Sequence, residues 1–465
     1  MAIKLYISLL LLVLLLAGNT LSAQTTLNDS ISSQLKAGVK GFQERYHSPS
    51  LVLIIVHKGK VIFSDASGYA DLENKVPASV DTKYQIQSIT KMFTATLAMN
   101  LWEKGIIELD GDVSKFVPEY KVTDPEGKTS KTTFLELATH SSGLPRNSQA
   151  DIEFAKQADI WMLTNTEMAS IKASSMIEFI KSLRSAKKEY PEYELKPQDS
   201  RQYSNMGYAI LGLGLGRAAK TSYQTAVLNR ICLPLHLNNT GFGTFSDQGN
   251  VLASGYSYSN EKQKFIKTPR FYANAMMPAA GMYSTATDLA KFISAQFSGE
   301  NGVLLEKSIR MMQSLGIGWQ RSYPYVKHEG AMLGARTEIV IHPKLELGWA
   351  VLTNVTDFDF NRINAYVSSL ILPQLAEKPV YDLNQYVGTY SLVGGADSIK
   401  LYLKDGKLYS TYLEQVLPHQ PLILSGNNSL KSSGLNGHEI NYNFLIDKNS
   451  KISVLNLSQL MWIKQ

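Results

Sequence analysis

The chain has 465 residues and a formal net charge of +6, from 46 Lys and Arg against 40 Asp and Glu. The two signs alternate along the sequence and no basic stripe carries interleaved aromatics, which argues against a nucleic-acid binder. Cys232 is the only cysteine, so an internal disulfide framework is excluded, and the length suffices for one large cored domain and a smaller one.

Taken in chain order, Met1-Ala-Ile-Lys4 precedes an apolar run from Leu5 to Ala17, and Leu21-Ser22-Ala23 precedes Gln24. That pattern reads as a secretory signal peptide over 1–23, with an uncleaved N-terminal anchor as the alternative. The run is too short for a comfortable membrane span, and no cysteine at the break suggests a lipoprotein. An exported, periplasmic protein is expected, with no stable membrane span once the segment leaves. Residues 27–46 form an amphipathic pattern. Leu51–His57 is a buried-strand run, Lys58-Gly59-Lys60 a turn, and Val61–Ser64 the hairpin partner. Residues 84–104 run from a loop into a helix that Gly105 stops. Thr133–His140 is helical. Residues 147–195 are polar and weakly helical, which suggests an inserted cap. Met206–Gly216 is an apolar helix, and Glu338–His342 with Gly348–Asn354 forms a second hairpin. Cys232 sits between Ile231 and Leu233, where a buried inert thiol is expected.

Helix in the middle with hairpins toward each end predicts an α/β fold, an antiparallel sheet flanked by helices plus an all-helical region, over 24–376. Pro379 marks a linker. Residues 380–465 alternate short strands with turns, among them Asp405-Gly406 and Gly426-Asn427-Asn428, and predict a small β-rich domain without a catalytic cluster.

Three segments carry chemistry. The first is Ser88-Ile89-Thr90-Lys91. With Ser88 at the N-terminus of a helix, Lys91 lies one turn on and shares its face, so the amine can reach the hydroxyl. The free N–H groups of the first turn favour negative charge there. Such a pair makes a nucleophile without a histidine. The same spacing recurs at Ser33-Lys36, Ser185-Lys188 and Ser259-Lys262, and an N-cap serine with a solvated lysine is the bland alternative. The second is Tyr203-Ser204-Asn205: the phenol can relay a proton, and the amide can fix the lysine or a substrate carbonyl. The third is His328-Glu329-Gly330-Ala331, placed on an edge strand. There Gly330 would let substrate backbone approach, and the Ala331 N–H would pair with that of Ser88 around an oxyanion. A strand histidine with a structural role is the alternative for His328. A zinc motif fails because position 332 is Met. Glu329 either meets a cationic substrate amine or points from the strand's other face, which alternation favours.

Together these segments resemble the penicillin-recognising serine hydrolases: serine β-lactamases, DD-peptidases and their esterase and D-aminopeptidase relatives. Leu137-Ala-Thr-His140-Ser-Ser-Gly143-Leu-Pro145, Gly281-Met-Tyr-Ser-Thr-Ala-Thr-Asp-Leu and Gly316-Ile-Gly-Trp319 extend the match, which covers residues 30 to 375 in order. The resemblance implies a β-lactamase/transpeptidase-like fold and an acyl-enzyme on Ser88, with Lys91 and Tyr203 managing protons. Asn205, His328, Gly330 and Ala331 are then expected to contact substrate. Tyr386-Val-Gly-Thr-Tyr390 resembles the small β-barrel-type appendage of such relatives. Two departures stand out. His328-Glu329-Gly330 replaces the Lys-Thr-Gly of β-lactamases, which weakens the anchor for a substrate carboxylate. Pro197-Gln198 stands where relatives often carry Pro-Gly. The expected activity is an exported serine hydrolase acting on D-amino-acid peptides or esters. A penicillin-binding sensor with little turnover, a β-lactamase, and a catalytically silent scaffold are the alternatives. No metal or organic cofactor and no nucleic-acid partner is indicated; a small peptide or ester is the expected partner.

Overall fold

A computed structural model of the chain describes residues 27–164, 168–190, 203–243, 252–299, 302–375, 383–412, 421–426, 429–433, 439–446, 451–457 and 460–465. The expected signal peptide, residues 165–167 and 191–195 of the insert, Pro197-Gln198, the Pro379 linker and Asn427-Asn428 lie outside them. Contacts divide the chain into two units, one ending at Leu375 and one over 376–465.

In the first unit the helix α1 (Asp29–Arg45) starts where the Asn28 side chain accepts from the Ile31 N–H at 2.8 Å, a side-chain cap for one orphan donor. The strands β1 (Ser50–His57) and β2 (Lys60–Asp71) follow as a hairpin. Its turn residues Lys58 and Gly59 both have positive φ, as a tight hairpin turn requires. The central helix α2 (Thr90–Glu103) comes next, then α3 (Asn205–Ala218). Three further strands, β3 (Tyr325–Met332), β4 (Ala335–His342) and β5 (Leu347–Thr353), precede the last helix α4 (Phe360–Leu375). The sheet order is Gln320–Ser322, β3, β4, β5, β1, β2, Val76–Pro77. β5 pairs with β1, so the hairpins read at the two ends of the sequence form one antiparallel sheet.

β1 is buried along its whole length because both sheet faces are covered. Val52, Ile54 and Val56 enter the large core around α2, while Leu51, Leu53 and Ile55 pack with residues of α1 and α4. Register places His328 opposite Ile339 and Gly330 opposite Thr337, and the His328, Ile339 and Thr337 side chains lie on the α2 face. Glu329 is opposite Glu338 and goes to the other face. α2 is buried from Thr90 to Leu101, which is why its sequence is apolar on all sides rather than striped. Its hydroxyls are satisfied internally: Thr94 Oγ1 donates to the Pro278 carbonyl at 2.6 Å and Thr96 Oγ1 to that of Met92 at 2.8 Å. Residues 147–190 contain the helices Ile152–Thr164 and Met176–Ser182 with short strands; one of these, Ser170–Lys172, runs parallel to Arg270–Tyr272.

The second unit is an eight-stranded antiparallel sheet around Tyr386, Tyr390, Tyr442, Leu455 and Trp462. Asp405 and Gly406, at φ 51° and 71°, turn Ser398–Lys404 into Lys407–Ser410, as the Asp-Gly pair predicts. The fold is the expected α/β one with a β-rich C-terminal domain. Among the described residues no helix is long and apolar enough to cross a membrane.

Candidate active site

Ser88 stands in a single 3-10 turn, Gln87–Ile89, that leads directly into α2. The strand before it, Tyr84–Gln85, pairs with Met282–Ser284, and the Ile86 N–H donates to the Met282 carbonyl at 3.0 Å. Gln87 takes φ 47°, a left-handed conformation costly for a side chain of this size. It is over-determined by its surroundings: Gln87 is buried, its Nε2 donates to Gln85 Oε1 at 3.2 Å, and Gln85 Nε2 donates to the Phe271 carbonyl at 3.3 Å. The result is a serine on a fixed, partly exposed corner above a buried helix.

Lys91 is fully buried one turn below. Its Nζ lies 3.0 Å from Ser88 Oγ, 2.8 Å from Asn205 Oδ1 and 2.9 Å from the Ala279 carbonyl. Burial strips the ammonium of water and holds its pKa well below the ordinary lysine value, and the positive charge of Arg146 adds to the effect. A neutral amine fits the three contacts: it donates to Asn205 and Ala279 and accepts from the Ser88 hydroxyl.

Tyr203 hydrogen-bonds to Ser88, and desolvation pushes its phenol up to about 12, so it carries its proton at neutral pH. The Lys91 Nζ lies 4.8 Å from the centroid of the Tyr203 ring, and the Arg146 guanidinium lies 5.1 Å from it. Ser204 caps α3, accepting from the Gly207 N–H at 2.8 Å and donating to the Pro145 carbonyl at 2.6 Å. Tyr203 and Asn205 therefore converge through a helix start, not through the alternation of an extended turn. Of the two roles expected for Asn205, fixing the lysine is the one its contacts display. Its amide is engaged at both ends, Oδ1 by Lys91 and Nδ2 by Asn147 Oδ1 at 3.1 Å, so it bridges site residues.

His328 is buried, and its Nδ1 donates to the Glu329 carbonyl at 2.8 Å, which assigns the neutral tautomer with Nε2 free of its proton. Desolvation, reinforced by Lys91, pushes its pKa down to about 3. Gly330 also meets a demand from within the chain. A Cβ there would lie 2.3 Å from the Ile86 carbonyl oxygen and 2.3 Å from Thr337 Oγ1. The backbone it admits is that of the chain itself, and Thr337 Oγ1 donates to the same carbonyl at 3.1 Å. This contact clamps β3 against the turn, two residues from Ser88 and one from Ala331. β3 pairs with Gln320–Ser322 only as far as Lys327, so beyond it the outer edge of His328–Met332 has no strand partner among the described residues. Glu329 lies on the far face, 3.0 Å from Lys327 Nζ, which also meets the buried Glu338 at 2.9 Å. Cys232 is buried and its thiol is pushed up to about 12 by desolvation. No cluster of His, Cys, Asp or Glu among the described residues could hold a metal.

The motif reading did not assign Arg146, Asn147 or Ala279 a part in the site. Arg146 and Asn147 directly follow the quoted Leu137–Pro145 segment, so adjacency was an available signal. Ala279 acts through its carbonyl, which side-chain patterns do not reveal.

The family model described as Beta-lactamase matches residues 35–371. Protein flp of Staphylococcus aureus (strain N315) is 26% identical over 383 residues, 79% of this chain and 72% of that protein. Beta-lactamase-like protein 2 of Dictyostelium discoideum is 32% identical over 247 residues, 52% of this chain and 41% of that protein. Among solved structures, the octameric penicillin-binding protein homologue from Pyrococcus abyssi aligns with a TM-score of 0.61 at 24% identity, covering 93% of this chain and 99% of that one. EstCE1, a hydrolase with promiscuous acyltransferase activity, aligns at 0.58 with 20% identity over 70% and 94%. These two likenesses are of fold.

Proposed function

The chain belongs to the beta-lactamase family of serine hydrolases, and we propose that it is itself an exported hydrolase acting through an acyl-enzyme on Ser88. Its substrates on this reading are esters or D-amino-acid-containing peptides. The observation that carries the proposal is the contact of Ser88 Oγ with a buried, pKa-depressed Lys91 at 3.0 Å. Ser88 Oγ attacks the substrate carbonyl carbon as its proton passes to Lys91 Nζ. Tyr203, protonated at rest, gives its proton to the departing oxygen or nitrogen and is reprotonated from Lys91. Water then adds to the acyl carbon, and the same bases return the proton. The N–H groups of Ser88 and Ala331 receive the oxyanion; the clamp of Gly330 on Ile86 supports that pairing. Neutral His328 lines this edge and offers Nε2 as an acceptor to a substrate N–H or O–H.

A second reading, an acyl-accepting binder with little turnover, draws on the neutral His328, which gives a carboxylate no cationic anchor. Steady-state hydrolysis by wild type and Ser88→Ala separates the two. The substrates are a p-nitrophenyl ester, a D-alanyl anilide, a D-Ala-D-Ala peptide and a chromogenic cephalosporin. Turnover abolished by the substitution supports the hydrolase. A single stoichiometric burst supports the binder. Equal rates in both proteins would refute Ser88 as nucleophile.

A further inference from the structure

His140 is a half-buried imidazole at the end of a short helix, Phe134–Ala138, and nothing in the proton path described above uses it. It takes φ 58°, a left-handed conformation that turns its ring back toward the start of α3. The ring packs at a tilt against two tyrosines, with centroids 4.2 Å from Tyr203 at 30° and 4.8 Å from Tyr208 at 42°. Its Nδ1 accepts the Ser204 N–H at 3.1 Å. Accepting there fixes the proton on Nε2, and that buried atom has no partner among the described residues. A plain aromatic ring would pack as well and bury no orphan N–H, so the chain tolerates an unpaired nitrogen in order to present the acceptor at Nδ1.

That acceptor is one of several ties from one segment. The Pro145 carbonyl receives Ser204 Oγ, the Arg146 carbonyl receives the N–H of Asn205 at 2.8 Å, and Asn147 receives the Asn205 amide. Residues 140–147 thus hold Ser204 and Asn205 by backbone and side chain, but only His140 both bonds the residue next to Tyr203 and packs on the Tyr203 ring. Tyr208, its other neighbour, is pinned by its hydroxyl to the Ala138 carbonyl at 2.7 Å, so the imidazole packs against a fixed neighbour.

We infer that His140 is a positioning residue that sets the Tyr203 phenol for proton transfer to the leaving group, through its Nδ1 bond to Ser204 and its packing against the Tyr203 ring. This rests on the hydrolase reading of Ser88, Lys91 and Tyr203. A phenol displaced from its line to the leaving atom slows departure of a basic leaving group and spares one that leaves unprotonated.

The test compares two esters of the same acid, one with p-nitrophenol and one with a simple alkanol as leaving group. Wild type, His140→Phe, which keeps a ring without the acceptor, and His140→Asn, which keeps an acceptor without the ring, are assayed with Tyr203→Phe as the reference. Rates are normalised to active enzyme by stoichiometric acylation. For His140→Phe, kcat on the alkyl ester is expected to fall about 10- to 100-fold, with the p-nitrophenyl ester within about 3-fold and KM little changed. His140→Asn should recover part of the alkyl-ester rate. In the double variant with Tyr203→Phe, the His140 substitution should add little, because both act on one group. A purely structural role would lower both esters together, which overturns the inference, as does an alkyl-to-activated ratio left at the wild-type value. Wild type that cleaves only the activated ester also overturns it, since no relay is then at work. Wild type that cleaves neither refutes the hydrolase reading itself.

Discussion

Replacing Gly330 with alanine puts the clamp between β3 and the Ser88 turn to a quantitative test. The added Cβ would lie 2.3 Å from the Ile86 carbonyl oxygen and 2.3 Å from Thr337 Oγ1. Neither is the end of a long flexible side chain: one is backbone, the other a short side chain that itself donates to that carbonyl. Ordinary contact requires the strand and the turn to separate by roughly 1 Å. The overpacking should cost about 1–3 kcal/mol, which in a unit ending at Leu375 lowers Tm by only about 1–4 °C. The same shift moves Ala331 away from Ser88, and a displacement of about 1 Å at a reacting centre costs on the order of 100-fold in rate. The expected result is therefore a folded protein with kcat/KM on an ester down about 100-fold. Tm by calorimetry and ester hydrolysis on one preparation measure both. Wild-type activity at wild-type Tm would refute the clamp, and a parallel collapse of both would show that Gly330 serves folding rather than alignment.

Other expectations follow from Lys91 and its neighbours. Asn205→Asp sets a carboxylate where an amide oxygen now lies 2.8 Å from Nζ; it should raise the lysine pKa and move the acid limb of kcat/KM to higher pH, and an unmoved limb would argue against Lys91 as the base. Stability gives an independent reading of the same group. Its folded pKa is lowered, so above that value the unfolded chain holds a proton the native one lacks, up to about pH 10.4. Stability should then rise with pH by up to about 1.4 kcal/mol per unit more in wild type than in Lys91→Met, read from urea midpoints at pH 8 and 9.5; identical slopes would contradict a depressed lysine. Glu329→Gln, on the far face of β3, should leave kcat/KM within about 3-fold while costing about 1 kcal/mol or less for its partly exposed pair with Lys327. Cys232 should resist a thiol reagent in the native protein and react once denaturant is added.

Legibility followed the physics of each feature. The burial of β1, the turn at Lys58-Gly59, the hairpin at Asp405-Gly406 and the helix stop at Gly105 are set by local chemistry, and the sequence displays them. Ser88 and Lys91 were readable for the same reason, since one helical turn fixes their distance. Joining the N-terminal hairpin to the C-terminal strands through β1 and β5 depends on contacts some 300 residues apart, and no window of sequence contains it. Gly330 shows how one residue can answer to a constraint that its motif does not reveal. Its need for space was legible, but that the Ile86 carbonyl of the chain itself lies in that space is a tertiary fact. Asn205 is similar: its residue type announced a polar bridge, and only the fold shows that both ends are already taken.

The site gathers four basic side chains, Lys91, Arg146, His140 and His328, yet it needs one proton acceptor for Ser88. Desolvation decides among them. It lowers Lys91 from a starting value of 10.5, whereas His140 and His328 start at 6.5 and are pushed further down, His328 to about 3. Each positive charge in this cluster also opposes the next, since Lys91 lowers both histidines and Arg146 lowers Lys91. The histidines are left neutral, with one nitrogen each committed to a backbone partner, and the lysine is the group among them whose Nζ lies 3.0 Å from Ser88 Oγ, with its pKa drawn well below the ordinary value. A carboxylate set beside it would undo this by stabilising the ammonium. That is why the direct partners of Nζ are an amide oxygen and a carbonyl, acceptors that orient the amine without fixing its charge.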